Sequence, residues 1–330
     1  MRRRRRGPLA RMTMRRGTDV TKIRWATTLL AAAALTFALA APSAFAASRA
    51  VSRSQALPAW ACGSDEPVST ARGAFAAKGG ELREKVTGQV AKALPARAQG
   101  KAPAGFSATV PVYFHVITDG STGNVSDAAV RTQIRVLNVT FGGGEGGTNT
   151  GFSFTLAGIT RTNNAAWYAI ATFGDEVAMK RGLKQGGNNA LNVYSTSGYL
   201  YLGWAYYPDI VTTNQAYLDG IVIDWRSMKG VSSAYAGAYD QGETLTHETG
   251  HWLNLAHTFE GKCSPTNDFV ADTPAQKTPT GGCPEGKDTC QAPGLDPIHN
   301  YMDYSFDTCY TEFTPGQTQR ARDAWLLYRA

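Results

Sequence analysis

Residues 247 to 257 read HETGHWLNLAH and hold three of the chain's five histidines. On a helix, residues four apart share a face, so His247 and His251 present two imidazoles to one point while Glu248 sits one position along. Two ring nitrogens beside a carboxylate, in the pattern H-E-x-x-H, make half of a catalytic zinc site. Such a site takes three protein ligands and leaves one position open, and His257 is the candidate third. Continued helix would carry His257 about 9 Å along the axis and rotate it away. The helix must therefore stop and the chain must double back. The longer pattern H-E-x-x-H-x-x-G-x-x-H puts glycine at that reversal, where this chain has Asn254. Ending a helix on a left-handed residue favours Gly, and Asn is the next most tolerant, at a cost of about 1 kcal/mol. Asn254 is thus expected to make the turn.

An accidental match is the competing reading of those residues, so the rest of the chain has to agree with a metal site. The net charge of +7 looks like a reason to expect nucleic acid until it is located. Residues 1–46 hold ten Lys/Arg against one Asp, a net of +9, which leaves −2 for everything after them. Residues 106–330 hold 14 Lys/Arg against 21 Asp/Glu, a net of −7, which argues against a nucleic-acid partner.

The basic start is followed by the apolar run TTLLAAAALTFALAAPSAFA, which closes on the small-x-small sequence Ala44-Phe45-Ala46. Residues 1–46 read as a secretory signal peptide, with Met12 or Met14 as alternative starts. A retained anchor is the other reading; the Ala-rich run, Pro42 and the cleavage sequence favour removal, so no stable membrane association is expected afterwards. Residues 47–105 are rich in Ala, Arg and Lys, poor in aromatics, and end in PARAQGKAPAGFSA, which suits a pro-segment better than a core.

From Phe106 the texture becomes that of a packed domain, spanning 106–330. ATVPVYFHVI, GFSFTLAGITRT, LNVYST and DGIVIDW read as strands. SDAAVRTQIRVLNVTF reads as an amphipathic helix with Ser126 as N-cap, DEVAMKRGL as a short helix, and about 241–254 as the helix carrying the histidines. TPGQTQRARDAWLLYRA is a last helix, capped by Thr314 with Pro315 at its first position. GYLYLGWAYYPD either borders a cleft or packs as an edge strand, with packing favoured because aromatics at strand spacing are usually core. The class is α+β.

Downstream, HNYMDYSFDTC supplies Met302 and, two residues later, Tyr304. With the histidine motif they resemble the Met-turn of the metzincin metallopeptidases, in which a methionine forms a floor under the three histidines. The fuller resemblance is to the pappalysin family of metzincins. It is carried by VPVYFHVI, THETGHWLNLAHTFEG, DFVADTP, NYMDYS and FTPGQTQRARDAW, spread through residues 106–330. Some members of that family also have Asn at the glycine position.

The resemblance implies a zincin fold: a twisted mixed sheet with the active-site helix, and a loop-rich lower subdomain cross-linked by disulfides. It implies Zn²⁺ on His247, His251 and His257, Glu248 as general base and Tyr304 at the oxyanion. Four cysteines cluster in the lower part, and sequence alone leaves three pairings open, as well as a second zinc site. Family precedent implies Cys263–Cys290 and Cys283–Cys309. Cys62, in WACGSDEP, stands apart; the resemblance gives it the open zinc position in a latent proenzyme, against an inert thiol or an intermolecular disulfide. A Ca²⁺ site among Asp268, Asp272 and nearby carbonyls is a further expectation, since oxygen ligands are dense there.

His115 is expected to be a satisfied interior residue and His299 to hydrogen-bond a loop; Asp307 either faces the pocket next to the scissile bond or is a solvated loop aspartate, the second being favoured. The chain then reads as a secreted, extracellular zinc endopeptidase, monomeric, acting on protein or peptide substrates. A catalytically silent zinc-binding adhesion or scavenging module is the alternative. Glu248 argues against it, because three histidines suffice for binding and only chemistry needs the carboxylate.

Overall fold

The computed structural model describes residues 91–199 and 201–330, all within one unit, Asp65–Ala330. Cys62 and the signal segment lie outside the described residues. Five strands form one mixed sheet: β1 (Ala108–Thr118), β2 (Phe152–Asn163), β3 (Leu191–Thr196), β4 (Gly203–Trp204) and β5 (Ile221–Asp224), in the order β2-β1-β3-β5-β4. β1 pairs in parallel with β2 and with β3, and β3 in parallel with β5; the short edge strand β4 runs antiparallel to β5.

β1 and β3 lie inside the sheet, and the sequence of β1 shows it, whereas β3 also buries the polar Asn192, Ser195 and Thr196. Val110, Val112, Phe114, Val116 and Ile117 of β1 are buried, as is every residue of β3. Strands covered on both faces read as apolar runs, which is the pattern of parallel sheets.

Helix α1 (Asp127–Phe141) connects β1 to β2; α2 (Ala165–Ala169) and α3 (Phe173–Leu183) connect β2 to β3. Ser126 caps α1 by accepting from Ala129 N, and Val130, Ile134, Leu137 and Phe141 turn one face of it into the core. That face lies beside α4 (Glu243–Trp252), the helix of the opening motif. Thr140 and Thr246 hydroxyls meet at 3.0 Å, and the Gln133 amide donates to Gly242 O at 2.6 Å. α4 is shorter than the 241–254 span read from sequence, because Gly242 starts it and the chain turns at Leu253–Asn254.

Beyond α4 the chain runs through loops and short 3₁₀ turns to α5 (Pro315–Tyr328), which Thr314 caps in a capping box with Gln317. Two disulfides cross-link this loop region, Cys263–Cys290 and Cys283–Cys309. Of the aromatic stretch before β5, Trp204, Tyr206 and Tyr207 are buried in packing, while Leu202 and Gly203 border a cleft.

Candidate active site

The reversal after α4 is a Schellman turn. Asn254, in the left-handed region at φ 73°, follows the last helical residues; Asn254 N donates to His251 O at 2.8 Å and Leu255 N to Gly250 O at 2.9 Å. The chain then returns, and His257 comes to lie 3.0 Å (Nε2 to Nε2) from His251, which is itself 3.1 Å from His247. All three rings are buried.

Each Nδ1 faces an oxygen acceptor. His247 Nδ1 donates to Tyr301 O at 2.6 Å, His251 Nδ1 to Leu255 O at 2.8 Å, and His257 Nδ1 to the Glu260 carboxylate at 3.2 Å. With the proton fixed on Nδ1, every Nε2 carries its lone pair inward. Burial, then the neighbouring His257, push His247 down to about 3, and the same causes hold His251 well below its usual range. Neutral imidazoles with converging lone pairs repel one another unless a cation lies between them, so the donor set fits a metal ion.

Met302 is fully buried beneath this face. Its sulfur lies so close to Gly250 that a Cβ there would overlap it. A side chain at the second x of H-E-x-x-H would therefore require the Met302 side chain to move. Asp303 holds the Met302 turn, accepting from Tyr304 N at 2.8 Å, Thr280 N at 3.0 Å and the Gln276 amide at 2.9 Å. Tyr304 Oη lies 3.1 Å from His257 Nε2.

Glu248 is buried against the edge strand. A Cβ on Gly203 would come within 3.0 Å of Glu248 Cγ and 2.9 Å of Val222 O, so glycine at that position gives the carboxylate its place. Glu248, His247, Tyr304 and Gly203 line one cleft, together with Glu243, Asp307 and Tyr310. One histidine of the cluster, the glutamate and the tyrosine thus share one opening.

Asp307 departs from the expectation of a solvated loop residue. It is 3% exposed, and its Oδ2 accepts from Gln241 N at 2.8 Å and Glu243 N at 3.4 Å, at the positive end of α4. Burial still lifts its carboxyl to about 7. Glu243, also buried, is raised to about 10 by burial and by the Asp307 and Glu145 charges. Glu145 comes from the Gly-rich loop after α1 and accepts from Tyr301 Oη at 2.6 Å. Sequence reading passed over Glu145, Glu243 and Glu260; only Glu260, three residues past a ligand, left a local signal.

The remaining histidines have other partners. His115 bonds Thr160 and Asn192 at 2.7 and 3.0 Å, and His299 Nδ1 donates to Cys309 O at 2.6 Å. His299 also lies near Cys283, Glu285 and Cys309, but both cysteines are spent in a disulfide and offer no thiolate. Asp272 commits its oxygens to Thr314 Oγ1 and Gly316 N, at the start of α5. Asp268 is buried and accepts from Val270 N at 3.1 Å. No helix among the described residues is long and apolar enough to cross a membrane.

Residues 191–325 match the family model described as pregnancy-associated plasma protein-A, a peptidase family. An extracellular metalloprotease of Arthroderma benhamiae is 45% identical over 231 residues, covering 67% of this chain and 74% of the relative. One from Verticillium alfalfae is 40% identical over 278 residues, covering 82% and 90%. Among solved structures, Tannerella forsythia promirolysin superposes with a TM-score of 0.60 at 29% identity, over 69% of this chain and 83% of that one. Mature mirolysin in complex with a cleaved peptide gives 0.57 at 31% identity, over 66% and 91%. With a Met-floored histidine cluster in a matching fold, the chain belongs to the pappalysin family and is a metallopeptidase.

Proposed function

We propose that the protein is a secreted zinc endopeptidase, made as a latent proenzyme, that cleaves protein or peptide substrates as a monomer. The observation that carries this reading is the convergence of three Nε2 atoms, one of them from His247, which lines the same cleft as Glu248. His247, His251 and His257 would hold the ion. When bound, zinc lowers the pKa of water and polarises a carbonyl.

The chain's own groups supply the rest. Glu248 takes the proton of the attacking water and delivers it to the leaving amine, as a general base and then a general acid. Tyr304 Oη, beside His257, donates to the oxygen on which charge develops. Burial pushes the cleft carboxyls Glu243 and Asp307 towards their neutral forms, and a basic side chain entering the cleft would restore their charge. Together with the net −7 of residues 106–330, that favours basic residues beside the scissile bond.

Relatives named extracellular support secretion, and the leader-like residues 1–46 supply the route. Cys62, in the pro-segment that follows the leader, would occupy the position that the three histidines leave open on the ion, and would leave with that segment on maturation. Asp268 supports a calcium ion in the loop region, since burial raises its carboxyl to about 7 and a cation would offset that cost.

The direct test is peptide-library cleavage by Glu248→Ala beside wild type, with and without chelator. The variant should lose about a thousandfold in kcat while keeping its zinc. Wild-type turnover by Glu248→Ala would sink the mechanism.

A further inference from the structure

Residues 92–102 lie within the stretch read from sequence as pro-segment, yet they are built into the body of the peptidase. Leu94, Ala98 and Ala102 are buried. Asp323, on α5 and 3% exposed, accepts three consecutive backbone N–H groups: Gly100 at 2.7 Å, and Lys101 and Ala102 at 2.8 Å each. The Gln319 amide adds a fourth bond to the same carboxylate at 3.0 Å. Removing the segment would strip a buried carboxylate of its backbone donors, and a buried charge without partners is costly.

The same helix connects this segment to the metal centre. Arg320, 7% exposed, donates through Nη2 to Lys92 O at 2.6 Å and through Nε to Asn254 O at 2.7 Å. One rigid guanidinium fork therefore joins the N-terminal segment to the left-handed residue that turns the chain towards His257. Arg329, near the end of the chain, acts beside it: Nε and Nη2 donate to Trp252 O at 3.0 and 2.8 Å, while Nη2 bonds Asp219 at 3.0 Å. The Trp252 carbonyl at the end of α4 and the Asn254 carbonyl just beyond it are thus taken by arginines from distant sequence.

We propose that Lys92–Ala102 is a permanent brace of the mature enzyme, that Arg320 is the positioning residue through which it steadies the Asn254 turn and His257, and that maturation cleavage falls upstream of Lys92. The inference rests on reading the three histidines as zinc ligands. Its reach is from a segment beside α5, through one side chain, to the third ligand.

The full-length chain, left to mature, is analysed by intact mass, and zinc affinity and peptide kinetics are then measured for wild type, Arg320→Gln, Arg320→Lys and Asp323→Ala. The mature N-terminus should lie at or before Lys92. Arg320→Gln and Asp323→Ala should raise the zinc Kd about tenfold and lower kcat more than they raise KM, since partners behind a ligand carry effects of that size. Arg320→Lys, which keeps the charge and a donor, should fall between them and wild type. A fully active enzyme beginning after Ala102, or folded variants with wild-type zinc Kd, overturns the brace. A wild-type protein that binds no zinc overturns instead the metal reading on which it rests.

Discussion

The two helical histidines and the third reach the same point by different means. His247 and His251 are placed by the α-helix alone: four residues of helical rise put their rings on one face, and the surrounding fold has only to bury that face. His257 is placed by an interrupted helix, a left-handed asparagine, a hydrogen bond to Glu260, and arginines from α5 and beyond that hold the turn from outside. Ligands on regular structure are specified locally, whereas a ligand on a return loop is specified by the whole domain. The more demanding part of this centre is therefore the stretch from Leu253 to Glu260.

That contrast can be broken most severely at Asn254. A β-branched residue is strongly disfavoured at φ 73°, so Asn254→Val should misplace His257 and lower zinc affinity by about a hundredfold or more. Asn254→Gly should keep both metal and activity, because glycine adopts that conformation without strain. Zinc titration of the purified variants reads both outcomes. If Val were tolerated as well as Gly, the turn would not be what delivers the ligand.

A smaller effect is expected at Glu260, which orients the His257 ring without touching the metal position. Glu260→Gln keeps a hydrogen-bond acceptor but loses the charge, and zinc affinity should fall about tenfold. The helical ligands, whose Nδ1 groups donate to backbone carbonyls, offer no equivalent side chain to change.

The mildest test concerns pH. Glu243 titrates near 10 in the folded chain against 4.5 unperturbed, so between those values the folded state holds a proton that the unfolded state has released. Stability must then fall as pH rises through that window, and Asp307, raised to about 7, acts in the same direction. Glu243→Gln removes its share. Melting temperatures at about pH 5 and about pH 9 should differ less in the variant than in wild type. An unchanged difference would place the proton elsewhere.

The same contrast explains what could be read in the sequence. The HETGHWLNLAH spacing, the left-handed requirement at Asn254, and the caps Ser126 and Thr314 are local rules, and local rules are visible in a string of letters. Strand order was not legible, because parallel neighbours such as β1 and β3 are separated in sequence by a strand and three helices. Nor were the supports of the site. Arg320 lies 66 residues from Asn254, and Glu145 lies 156 residues from Tyr301; only tertiary packing brings them together. Asp307 misled for the same reason, since nothing in its neighbourhood of loop residues announces that the N-terminus of α4 will cover it.

The central claim is that helix and return loop build one metal site between them. The most direct measurement is the zinc content per folded chain of wild type, His251→Ala and His257→Ala, taken at a single free-zinc concentration that saturates wild type. The account predicts one zinc in wild type and comparable, nearly complete loss in both variants. A His257→Ala protein that holds zinc as wild type does would contradict it, leaving the helical pair to bind the metal without the return loop.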